Sequence, residues 1–197
     1  PYAVYAFAGL TPWWLFSRTV MSVAGCLQDN MGLVSKVYFP RLLLAFAAAA
    51  REYVDGLVAF ALLIVLGLAT GYPPGWKVLL APLLLAAIGI CATGFGLWVA
   101  ALMVRFRDVR PALSVALQAG MYATPIVYSA TLVPASVRGW YELNPMYWAV
   151  EGFRWLLLNA PLALDRSLAG ACAIAAIAIC GGVAVFTVQE RQSVDVQ

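Results

Sequence analysis

The chain has 197 residues, 64% of them hydrophobic and only 11% charged, whereas a soluble domain is about half apolar and about a quarter charged. One small core cannot hide that much apolar surface, but a bilayer can. The net charge of +3 is spread over single basic residues, which excludes a nucleic-acid surface, and the absence of histidine excludes Ser-His-Asp catalysis and imidazole-dependent zinc sites.

Five stretches are long enough to cross ~30 Å of hydrocarbon, which takes about 20 helical residues. The first, Tyr2 to Ala24, is interrupted by Pro12 and Arg18. The second lies within Leu42–Thr70, the third runs from Val78 to Met103, the fourth from about Pro111 to Ser129, and the fifth from Ser167 to Thr187. A backbone inside hydrocarbon must satisfy its own hydrogen bonds, so each should be a helix. Runs such as Val78–Leu85 do not alternate polar and apolar residues, which rules out barrel strands. The expected fold is therefore an all-α polytopic bundle. The chain opens on Pro1 rather than Met, and we expect it to be N-terminally incomplete.

Between the first two spans, 26–41 is polar and amphipathic. Asp29 or Asn30 can cap a short helix carrying Leu33, Val34 and Val37, and Pro40 disfavours helix at Phe39. Such a helix can lie on lipid or dock in a partner's groove. Gly32-Leu33-Val34-Ser35-Lys36 lacks the spacing of a phosphate-binding loop, so ATP chemistry would have to come from another chain.

At the start of the second span, Arg51, Glu52 and Asp55 cluster, and the four-residue spacing predicts an Arg51–Asp55 pair. It reads as an interfacial ion pair or as the polar lining of a path. The turn at 71–77 is rich in helix breakers. Lys36, Arg41, Arg105, Arg107, Arg110 and Arg191 fall on one side of the bundle; Lys77, Arg138, Arg154 and Arg166 fall on the other. The dense 104–110 loop places the first group in the cytoplasm.

The 130–166 segment is too long for a turn and too apolar for a solvated loop. Asn144-Pro145 predicts a helix start, with Asn as cap, and Glu151 and Arg154 are spaced to pair. This helix reads either as a surface helix or as a re-entrant gate. Aromatic residues concentrate on the same side: Trp13, Trp14, Tyr128, Trp140, Tyr141, Tyr147, Trp148 and Trp155. They suit a membrane interface, and they equally suit stacking on the apolar faces of sugar rings. The four cysteines read as apolar packing residues, and Cys172 and Cys180 lie about 12 Å apart along one helix, too far to bond.

Taken in order, Phe7–Trp13, Leu33–Arg41, Val104–Arg110, Pro125–Tyr128, Leu143–Met146 and Glu151–Arg154 resemble the motifs of the polysaccharide and polyol-phosphate exporter permeases of type-2 ABC transporters, along nearly the whole chain. The resemblance implies one transmembrane permease domain over 1–197, with five of six spans present. It implies a homodimer with ABC ATPase subunits that carry the ATP and Mg, no cofactor in this chain, and a lipid-linked glycan (O-antigen, capsule or teichoic acid) moved across a bacterial inner membrane. It makes 26–41 the cytoplasmic coupling region, with Leu33, Val34, Lys36, Val37, Tyr38, Phe39, Pro40 and Arg41 on the ATPase. It makes 130–166 an outer gate region containing Asn144, Pro145, Glu151 and Arg154, with Trp13, Trp14, Tyr122 and Tyr128 along the substrate path. Trp14 and the charge at Arg18 depart from the family pattern. The rival readings are an exporter of drugs or small lipids and an intramembrane polyprenyl-phosphate transferase. The transferase would need convergent carboxylates, and Asp55, Asp108 and Glu151 fall on different segments.

Overall fold

In the computed structural model the structure describes residues 2–30, 32, 40–71, 73, 75–106, 108–126, 128, 139, 141–160 and 166–194. Among these are six α-helices and no strand: α1 (Tyr2–Asp29), α2 (Leu42–Ala69), α3 (Ala81–Arg105), α4 (Val109–Ala123), α5 (Pro145–Leu158) and α6 (Arg166–Val194). A 3-10 turn at Trp76–Leu80 leads into α3. The expected coupling residues Leu33, Val34, Lys36, Val37, Tyr38 and Phe39 lie outside the described residues, as do Trp140 and 130–138.

Three described helical segments are long and apolar enough to cross a membrane: Leu42–Ala69, Trp76–Val104 and Leu168–Val188. The other two expected spans differ from these. Helix α1 runs unbroken through Pro12 and Arg18 for 28 residues, long enough to cross but more polar. Proline removes the N–H that would bond the Ala8 carbonyl, and the Thr11 hydroxyl bonds the neighbouring Phe7 carbonyl at 2.9 Å. Helix α4 stops at Ala123, not near Ser129, and its 15 residues span about 22 Å, short of the bilayer core. Helix α6 continues past Thr187, the expected end of the fifth span, to Val194.

The helix ends follow local chemistry. Helix α2 begins in the turn at Pro40–Arg41, where the Leu43 and Leu44 amides donate to the Pro40 and Arg41 carbonyls. It ends where the Thr70 hydroxyl takes the Leu66 carbonyl at 2.8 Å and Gly71 enters the left-handed region at φ 77°.

Helix α1 is the axle of the bundle, packed against α2, α3 and α5, and α6 lies along α3. Glycines allow the closest approaches. A Cβ on Gly94 of α3 would lie 2.6 Å from the Ile179 amide nitrogen of α6, and one on Gly96 would lie 2.7 Å from the Val23 side chain of α1. Trp98 donates across the same seam to the Ala178 carbonyl at 3.1 Å. Two apolar clusters stack along the bundle. One joins Leu15, Phe60, Leu85, Ile126 and Phe153, and the other joins Val23, Ala45, Leu97 and Phe186. Outward, α2 carries an exposed apolar stripe at Phe46, Val54, Val58, Leu62 and Val65, and α3 carries another at Leu83 and Ile90. Full-length stripes of this kind face lipid, where exposure of carbon costs nothing.

Candidate functional site

Helix α5 starts as the sequence predicts. The Asn144 side chain accepts from the Met146 amide at 3.0 Å, and Pro145 occupies the first turn. Asn144 also donates to the Thr124 hydroxyl at 3.2 Å, which ties the cap to the chain leaving α4. The helix ends at Asn159, held left-handed at φ 53°. It does not lie on the bundle surface: Met146, Ala149, Val150, Phe153, Arg154, Leu156 and Leu157 are buried against α1, α3 and α6.

The centre of the site is Arg154, whose side chain is only 2% exposed. Its guanidinium pairs with Glu151 Oε1 at 2.8 Å, donates to the Ile126 carbonyl at 2.8 Å and lies 4.0 Å from the centre of the Tyr5 ring. Three segments (α1, the 124–128 link and α5) therefore meet on one cation. Its Nε is buried with no hydrogen-bond partner among the described residues. Removing a buried charge of this kind strands its partners, which makes the clamp stiff and costly to break. Gly9 completes the junction, because a Cβ there would lie 2.6 Å from the Ile126 carbonyl oxygen.

Tyrosines fringe the clamp. The Tyr5 hydroxyl donates to the Tyr128 carbonyl at 3.5 Å, and the Tyr128 hydroxyl reaches the Tyr122 carbonyl at 3.2 Å and the Tyr141 hydroxyl at 3.4 Å. Burial, aided by the hydrogen bond with Tyr141, pushes the Tyr128 hydroxyl up to about 12, so it stays protonated. The four expected path aromatics separate. Trp13 is core, with Gly120 beneath its ring and Phe16 at 5.8 Å, whereas Trp14 and Tyr122 are exposed and Tyr128 is half-buried.

At the opposite end the polar contacts are shallow. The short helix expected to be capped by Asp29 or Asn30 lies outside the described residues. Asp29 is the last residue of α1 and forms a two-pronged pair with Arg110 at 2.9 and 3.2 Å. The Asn30 side chain turns back to the Cys26 carbonyl at 2.8 Å. Pro40 is exposed and Arg41 half-buried at the start of α2.

The expected Arg51–Asp55 pair is replaced by Arg51–Glu52 at 2.9 Å. Glu52 is buried and also accepts from Ser22 of α1 at 2.7 Å. The pattern held the signal: Ala45, Glu52, Gly56, Phe60, Leu63 and Gly67 form one buried helical face, and Asp55 lies off it. Asp55, Asp108 and Glu151 stay on separate elements, and no group of three His, Cys, Asp or Glu residues gathers among the described residues.

Lipid-facing stripes, membrane-length helices and a polar clamp between helices define a multi-pass α-helical membrane protein. The chain belongs to the ABC-2 type transporter family, whose model matches residues 2–158, and is thus a permease of that class. It is 27% identical over 184 residues to the "O-antigen export system permease protein RfbA" of Myxococcus xanthus, which covers 92% of this chain and 71% of the relative. Two proteins of the same name from Klebsiella pneumoniae are each 24% identical over 165 residues, covering 82% of this chain and 62% of each relative.

Proposed function

We propose that the chain is the permease subunit of an ATP-driven exporter that carries lipid-linked polysaccharide across the bacterial inner membrane. The observation that carries this is the similarity to an O-antigen export permease along 92% of the chain. A glycan polymer cannot partition through hydrocarbon, because its hydroxyls would lose their water partners. It needs a lined path, and its lipid anchor must change leaflet. The permease makes and breaks no covalent bond. ATP and Mg act on a separate ABC ATPase, which docks at 26–41, and two permease copies form the path. The path has inward- and outward-open states, and the ATPase biases them by contacting each differently.

In this reading the basic 104–110 loop is cytoplasmic and the α5 end faces outward. The Arg154 clamp then holds the outer gate helix against α1, with Trp14, Tyr122 and Tyr128 offered to sugar rings.

The test is to delete the gene and measure surface polysaccharide and lipid-linked intermediate in the same cells. Surface polymer should disappear while the intermediate accumulates inside, and the complete gene should restore export. Normal surface polymer together with a small-molecule efflux defect would identify an exporter of drugs or small lipids instead.

A further inference from the structure

The flank of the bundle carries a second feature, on the face of α5 turned away from Arg154. A groove of about 380 Å³ runs between α3, α5 and α6, within the roughly 300–1,000 Å³ typical of small-molecule sites. Its walls are almost wholly carbon, with Leu84, Ile88, Ala149, Leu156 and Ala171 among them. It opens beside Leu83 and Ala87, on the exposed apolar face of α3. A groove on such a face meets lipid chains.

Its mouth has a different chemistry. Trp155 lines the groove, and the Lys77 ammonium lies 4.6 Å from the centre of its ring. Lys77 also donates to the Asn159 side-chain oxygen at 3.0 Å. Lys77 and Leu80 are three apart in the 3-10 turn, so they stand over one another, and Leu80 lines the groove. Both groups on Lys77 are neutral, and among the described residues no carboxylate pairs with it. The lysine is the second residue of the membrane-length segment Trp76–Val104, beside the exposed indole of Trp76, and a lysine and a tryptophan at the end of such a segment suit the headgroup level. A cation with neutral partners at the mouth of a carbon-lined groove is complementary to an anionic amphiphile.

We infer that this groove binds an anionic phospholipid, with one acyl chain between α3, α5 and α6 and the phosphate on Lys77. Because α5 forms one wall, the bound lipid braces α5 from the side opposite the Arg154 clamp.

The test is native mass spectrometry of the complete permease, released from micelles holding equal amounts of phosphatidylglycerol and phosphatidylcholine. The wild type should retain phosphatidylglycerol in preference. Lys77→Gln should reduce that preference about fivefold, the scale of one lysine beside an anionic surface, while leaving chain binding in place. Ala87→Trp, which fills the groove from its lipid-facing rim, should abolish retention of both lipids without lowering the yield of folded permease. Equal retention of the two lipids by the wild type, or an unchanged preference in Lys77→Gln, would overturn the headgroup assignment. No retention by the wild type would mean that protein covers the groove and would overturn the site. A polyprenyl phosphate that displaces phosphatidylglycerol from the wild type would also overturn it, by making the groove a carrier site.

Discussion

The two ends of the bundle use the same chemistry at different depths. At the α5 end, Arg154 pairs with Glu151 where the side chains are 2% and 18% exposed. At the other end, Arg110 pairs with Asp29 where they are 44% and 50% exposed. Both are arginine–carboxylate pairs at 2.8 to 2.9 Å. Among the described residues, only the first also holds a main-chain carbonyl and an aromatic ring from other segments. Water and salt can replace the exposed pair at little cost, but nothing can replace the buried one. The α5 end is built to hold one arrangement or switch sharply to another, and the Arg110 end is built to yield.

The largest effect expected is all-or-none. In a background without the native cysteines, a cysteine at Gly139 should react with a membrane-impermeant thiol reagent in whole cells, and one at Asp108 should not. The reverse pattern would exchange the ends and move the clamp to the cytoplasmic side. Next, Arg154→Leu should destabilise the permease by about 3–5 kcal/mol, because Glu151 and the Ile126 carbonyl are left unpaired. Thermal unfolding in detergent would read this, and a shift no larger than that of an exposed substitution would remove the distinction between the ends. Gly9→Ala should cost about 1–3 kcal/mol by pushing the 124–128 link off α1. Asp29→Asn should cost about 0.2–1 kcal/mol, and the loss should shrink further in high salt.

The sequence carried much of the outline. Length and hydropathy gave the helices, and Asn144-Pro145 gave the start of α5 together with the Glu151–Arg154 pair. What it could not give was depth. Spacing alone makes Glu151–Arg154 look like any surface pair, because the groups that bury Arg154 come from Tyr5 and Ile126, 149 and 28 residues away along the chain. The choice between Glu52 and Asp55 was legible, since the buried face of α2 could be counted, but four-residue spacing favoured the wrong carboxylate. Trp13 and Trp14 are alike in type and adjacent, and only the helix phase against Gly120 sends one into the core and the other out.

The claim at the centre of this account is that the buried clamp governs export, beyond merely keeping the chain folded. Arg154→Lys keeps the charge but loses the fork that holds Glu151 and Ile126 together. The decisive measurement is surface polysaccharide per permease molecule in cells carrying this variant, with ATPase co-purification from the same cells. We predict a normal permease level and a retained ATPase, with surface polymer sharply reduced and lipid-linked intermediate accumulating inside. Unchanged surface polymer at equal permease level would contradict the account.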